Sequence, residues 1–120
     1  MDNKQFGKEL EKRTRKFGVE IIRLSVALPN SPEGKVIRNQ LTKAGTSVGA
    51  NYREANRSRS KADFKSKMKI CESEASETQY WLEMIVELQW HPWNAVKPIY
   101  DECSELLALF TSAGNTLRNK

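Results

Sequence analysis

Glu72, Glu74 and Glu77, the cysteines Cys71 and Cys103, and His91 are the residues of this chain best suited to acid–base, metal or nucleophilic chemistry. Their spacing does not build a site. Carboxylate di-metal sites in helical proteins use Glu-x-x-His pairs on facing helices, and this chain has a single histidine. His91 lies in a Trp-rich turn with Trp90, Pro92 and Trp93, where a packing or surface role is favoured over metal ligation. The cysteines are 32 positions apart, match no redox or disulfide framework, and read as small buried hydrophobes. No Gly-rich phosphate loop, nucleophile elbow or zinc spacing is present. The expectation is a protein with no catalytic site, no metal and no cofactor.

The chemistry the chain does offer is cationic. From Arg53 to Lys69 there are seven cations (Arg53, Arg57, Arg59, Lys61, Lys65, Lys67, Lys69) against Glu54 and Asp63, a net of +5 that equals the whole formal net charge. Residues 1–69 hold 17 cations and 7 acids, whereas residues 70–120 hold 3 cations and 8 acids. A basic block of this kind binds polyanions through counterion release; its bland counterpart is a solvated surface that pairs with acidic protein.

The elements that must position these charges are helical. Apolar residues recur at spacings of three and four, which puts them on one face of a helix. The stripes are Phe6, Leu10, Phe17, Ile21, Leu24, Leu28; then Ile37, Leu41, Ala44, Val48, Asn51, Ala55; then Phe64, Met68, Cys71, Ala75, Thr78, Leu82, Ile85; and last Ile99, Cys103, Leu106, Phe110, Ala113, Leu117. Pro29-Asn30-Ser31-Pro32 stops the first, and Ser31 with Pro32 starts the second as N-cap and first helical residue. Ser60-Lys61-Ala62-Asp63 resembles a capping box, and His91-Pro92-Trp93-Asn94 breaks the third pattern, with Pro98 expected in the first turn of the fourth helix. The spacing predicts helices over about 4–28, 32–57, 61–90 and 95–117 in one all-α domain, an antiparallel up-down-up-down four-helix bundle. Gly45 and Gly49, one turn apart, should let another helix approach closely.

That topology would collect the start of helix one, the end of helix two, the start of helix three and the end of helix four at one end of the bundle. Lys4, Lys8, Lys12, Arg13, Arg15 and Lys16 would then join Arg53 to Lys69, with Arg118 and Lys120, in one electropositive pole. The candidate phosphate contacts are Lys12, Arg13, Lys16, Arg53, Arg57, Arg59, Lys61, Lys65 and Lys69. A supporting network is expected from Asn51, as a core amide setting helix register, from Glu54, paired with Arg57 or Lys65, from the cap Ser60 with Asp63, and from Glu77, at a helix or subunit contact. Trp81, Trp90, Trp93 and Tyr100 gather near the turn between helices three and four, opposite the basic pole. They are the candidate oligomer interface, because aromatics are enriched in interfaces.

The run Thr46-Ser47-Val48-Gly49-Ala50-Asn51-Tyr52-Arg53-Glu54-Ala55, followed by Arg57, Ser60, Asp63-Phe64, Lys69-Ile70, Ser73 and Glu77, resembles a known bacterial family. It is the group of four-helix-bundle proteins related to the product of the large-subunit rRNA intervening sequence. The accessory variability determinant of diversity-generating retroelements belongs to the same group. The likeness runs from Phe6 to about Leu117. Ala55 stands where the family often has Gly, which implies that helix two runs on a little. The resemblance implies a homopentameric barrel without enzymatic activity. In the retroelement branch it further implies nucleic-acid binding and work with a reverse transcriptase.

The expectation is therefore a non-enzymatic homo-oligomer, pentameric by resemblance, that binds nucleic acid through the basic pole, with RNA preferred by resemblance. The rival reading is a homo-oligomeric scaffold that docks an acidic protein partner without nucleic acid. No apolar run approaches the ~20 residues of a membrane span, and Met1-Asp2-Asn3-Lys4-Gln5 has no signal-peptide core, so a cytoplasmic location is expected.

Overall fold

The structure is a computed structural model that describes the backbone of residues 3–118 and the side chains of residues 4–114. Four helices follow one another: α1 (Asn3–Val26), α2 (Pro32–Asn56), α3 (Lys61–Glu87) and α4 (Trp93–Arg118). No strand occurs among the described residues.

Local chemistry sets the boundaries. Leu28 precedes Pro29, and a residue before proline is pushed out of the helical region. Accordingly α1 stops at Val26, short of the expected residue 28, and its end tightens through Ala27 N–H to Leu24 C=O (3.2 Å) and Leu28 N–H to Ser25 C=O (3.1 Å). Ser31 caps α2 by accepting from Gly34 N–H at 3.0 Å, with Pro32 in the first turn. Ser60 caps α3 by accepting from Asp63 N–H at 3.0 Å. Each cap satisfies one of the orphan donors at a helix start.

The third helix ends at Glu87, earlier than the expected residue 90, because Gln89 turns to φ 60°. Gln89 N–H then bonds Val86 C=O (2.9 Å) and Trp90 N–H bonds Ile85 C=O (3.0 Å), the paired hydrogen bonds of a Schellman motif. The fourth helix starts at Trp93, earlier than expected, with Pro92 C=O accepting from Ala95 and Val96 N–H. Pro98 therefore lies in the second turn rather than the first. It withholds the N–H that Asn94 C=O would accept, and both residues are on the exposed side, where water can take that carbonyl.

One apolar cluster joins all four helices, with Phe17, Ile21, Leu41, Val48, Met68, Leu82, Ile85, Leu106 and Phe110 at its fully buried centre. Two stripe members differ from the sequence reading. Tyr52, not Asn51, is the buried residue on α2, because both fit the helical period and the phenol ring removes far more apolar surface from water. It stacks on Phe110 with ring centroids 5.9 Å apart. Phe6 is exposed, and the neighbouring Gly7 is the buried one. Leu117 lies outside the described side chains.

Neighbouring helices pack in a fixed register. Asn56 Nδ2 donates to Gly7 C=O (3.1 Å), Thr14 lies against Gly49, Ile21 against Gly45, and Thr42 Oγ1 donates to Ser25 Oγ (3.1 Å). The first turns of α1 thus lie beside the last turns of α2. Likewise Gly114 is near Glu72, Cys103 Sγ lies 3.2 Å from Ala75 C=O, and Tyr100 OH donates to Glu83 at 2.7 Å. The contact between α1 and α4 is the least extensive.

Candidate functional site

The joint between α2 and α3 is the centre of the basic end. Arg59 and Lys61 line a shallow cleft of about 430 Å³ with Ala55, Asn56, Ser58, Ser60 and Phe64. Lys12 and Lys16 are exposed on α1, Arg53 is exposed near the end of α2, and Arg57 is its C-cap. On α3, Lys69 is exposed and Lys65 half-buried. Among the described residues none of these eight cations forms an ion pair. Lys120 and the side chain of Arg118 lie outside the described residues.

Arg13 differs from the rest. Its Nη2 is 2.7 Å from Glu102 and 3.0 Å from Glu105, and Nε donates to Glu102 at 3.1 Å. These partners lie on α4, so the guanidinium ties α1 to α4 across their sparse contact. The hydrogen bond to Glu102 raises the Arg13 pKa further. Arg13, expected as a phosphate contact, is placed in this clamp between the two helices.

Arg15, which lies outside the expected contact set, is placed at a groove with two members of that set. A groove of about 450 Å³ runs between α1 and α2, and its lining contains Arg15, Arg53 and Arg57. Val19, Ile22 and Ala50 supply apolar surface, and Glu11 is the one acid. The four-residue steps of Glu11, Arg15 and Val19 were the available signal, since they put Arg15 on one helix face with the groove residues.

The expected supporting network forms only in part. The Ser60–Asp63 cap is present, but Asn51 Nδ2 donates to Ser47 C=O of its own helix at 2.8 Å, so the half-buried amide bonds locally rather than across helices. Among the described residues Glu54 forms no ion pair. Arg57, the C-cap of the same helix, instead donates its backbone N–H to the Glu54 C=O at 3.0 Å. Glu77 is exposed, and its charge adds to the burial that raises the pKa of Glu74.

At the other end, Trp81 and Trp90 are half-buried and pack against the core. Trp93 is 44% exposed and meets Tyr100 edge-on, with centroids 5.3 Å apart. Trp81 Nε1 and His91 Nε2 are buried without a hydrogen-bond partner among the described residues. Cys71 and Cys103 are free thiols in the core, and burial pushes each up to about 12. Among the described residues no group of three or more His, Cys, Asp or Glu is placed to hold a metal.

The sequence profile described as 23S rRNA-intervening sequence protein matches residues 8–112 of the chain. The chain belongs to the 23S rRNA-intervening sequence protein family. A crystal structure of a protein with unknown function from the S23 ribosomal protein family of Bacteroides thetaiotaomicron VPI-5482 is similar to it, with 33% identity and a TM-score of 0.82. That likeness covers 88% of this chain and 97% of the other. A comparison with curated proteins found no match. For this member of the 23S rRNA-intervening sequence protein family, no helix among the described residues is long and apolar enough to cross a membrane.

Proposed function

We propose that this protein is a non-enzymatic, self-associating accessory protein that binds RNA through the phosphate backbone. The observation that carries the reading is the set of eight cations near the α2–α3 joint and along α1 and α3 that have no ion-pair partner among the described residues. Unpaired cations that run from the α2–α3 joint to about the middle of α1 concentrate positive potential, and release of counterions from the nucleic acid drives the association. RNA is preferred over DNA on the strength of the family description.

In this reading the helices form an antiparallel bundle, which the reversed order of contacts between α1 and α2 and between α3 and α4 supports. Copies assemble in the cytoplasm as a ring, pentameric by family resemblance, through the Trp81, Trp90, Trp93 and Tyr100 region. The exposed ring of Trp93 supports this, because aromatic surface is enriched in the contacts between subunits. A ring repeats the basic end, and weak contacts then add through high effective concentration. A reverse transcriptase or another protein partner would join the same assembly.

The test is a fluorescence-anisotropy titration of RNA across a salt series, with the wild type and the triple variant Arg57→Glu, Arg59→Glu, Lys65→Glu. Affinity should fall steeply with salt, and the variant should bind more weakly with an unchanged circular-dichroism spectrum. Equal affinity in a folded variant rejects this surface. A protein partner that survives thorough nuclease treatment in a pull-down, with no RNA binding at low salt, would favour the scaffold.

A further inference from the structure

The groove between α1 and α2 differs from the rest of the basic end in three ways. Its cations, Arg15, Arg53 and Arg57, are all arginines, whereas lysines dominate the exposed surface of α1 and the start of α3. It has apolar surface beside the charge: Val19 and Ile22 are each 42% exposed along its wall. Small residues, Gly18, Gly49 and Ala50, open its floor.

We propose that this groove holds one unstacked nucleotide of a single-stranded RNA. The inference rests on the RNA-binding reading above and adds a specific pocket to it. Arg57, Arg53, Ala50 and Thr46 follow one another along α2 in steps of four, three and four residues, so the lining changes over about 16 Å from guanidinium to apolar and hydroxyl groups. A nucleotide has the same polarity, with phosphate at one end and a flat, largely apolar base at the other. A planar guanidinium can grip a phosphate through two hydrogen bonds or stack on a base, and an ammonium does neither as well. Arginine stacking here takes the part that aromatic side chains play in many single-strand sites.

The groove also has an acceptor at the end assigned to the base. The Thr46 hydroxyl donates to Thr42 C=O at 2.7 Å, which leaves its lone pairs free to accept. The Glu11 carboxylate lies about two turns along α1 from Gly18, which packs on Thr46, so it flanks the arginine end of the groove and not the end assigned to the base. The volume of about 450 Å³ lies in the range of small-ligand pockets. A duplex cannot use the groove, because its bases are paired and stacked, so it would contact only the outer cations.

The test compares a single-stranded RNA of roughly twelve nucleotides with a blunt-ended RNA duplex of equal phosphate number, by anisotropy at one salt concentration. The variant is Val19→Asn with Ile22→Asn; both side chains are partly exposed, and circular dichroism and the melting midpoint confirm folding. The single strand should lose about tenfold in affinity and the duplex less than twofold. Arg59→Glu with Lys61→Glu should weaken both ligands alike. Equal losses for both ligands, or none for either, in the Val19/Ile22 variant overturn the nucleotide pocket while leaving the phosphate surface standing. Failure of the wild type to bind either RNA overturns both readings. Two further results would also overturn the pocket. One is a change in particle mass on light scattering in the same variant, which makes the groove a contact between copies. The other is binding of an acidic amphipathic peptide that depends on Val19 and Ile22 when RNA binding does not.

Discussion

Ile21 of α1 fills the space that a side chain on Gly45 of α2 would need. A Cβ built on Gly45 would lie 2.7 Å from Ile21 Cγ2, 2.8 Å from Cγ1 and 2.9 Å from Cβ. One turn on, a Cβ at Gly49 would lie 3.1 Å from the Thr14 carbonyl oxygen. The small stripe on α2 is therefore a seat for α1.

Gly45→Ala should destabilise the protein by about 1–2 kcal/mol, since overpacking a fully buried contact outweighs the gain in helix propensity. Ile21→Ala in the same background should restore part of the loss. The two changes should then be strongly non-additive in urea unfolding. Additive losses would mean that the two residues do not share the space.

Arg13 and the cations of the basic end should separate stability from binding. Arg13→Met should cost about 0.5–1 kcal/mol, a modest figure because the partners remain about a third exposed (35% and 28%). The cost should shrink as salt screens the pair. RNA affinity should change less than twofold. Arg59→Glu should do the reverse, lowering affinity with little effect on the melting midpoint.

Gln89 holds φ 60° at the end of α3, a region that penalises any side chain. Gln89→Gly should stabilise the protein by about 1 kcal/mol, because the Schellman hydrogen bonds of Gln89 and Trp90 remain while the strain is removed. A thermal melt reads this directly. A lower midpoint would show that the Gln89 side chain contributes more than the backbone costs.

Alkaline pH should unfold the protein from its core. Burial raises Cys71 and Cys103 from 9.0 to about 12, and Tyr52 from 10.0 to about 12. Each group is neutral in the fold and ionises more readily in the unfolded chain. Their contribution is complete below the unfolded values and is lost as pH rises from about 9 toward 12. The slope should approach about 1.4 kcal/mol per pH unit for each group. Cys71→Ala with Cys103→Ala should flatten the part of the curve that begins near pH 9.

Much of this protein was legible in its sequence, for a local reason. Helical periodicity, the serine caps at Ser31 and Ser60 and the proline breaks act within a few residues, so the four helices and the uneven charge could be read directly. Ambiguity arose wherever two residues satisfied the same period. Asn51 and Tyr52 both fit the α2 stripe, and only packing against Phe110 chose the tyrosine. Gly45 and Gly49 announced a close approach but could not name α1 as the helix that makes it. Arg13 and Arg15 are near neighbours of like charge; the four-residue steps from Glu11 through Arg15 to Val19 give Arg15 a helix face, but no local pattern distinguishes which of the two a partner claims. Tertiary structure does, because Glu102 and Glu105 arrive from α4 to claim Arg13, while Arg15 opens onto the groove beside α2. Which cation is bound and which is free depends on which helix faces meet, a pairing between residues far apart in the chain that no single stripe encodes.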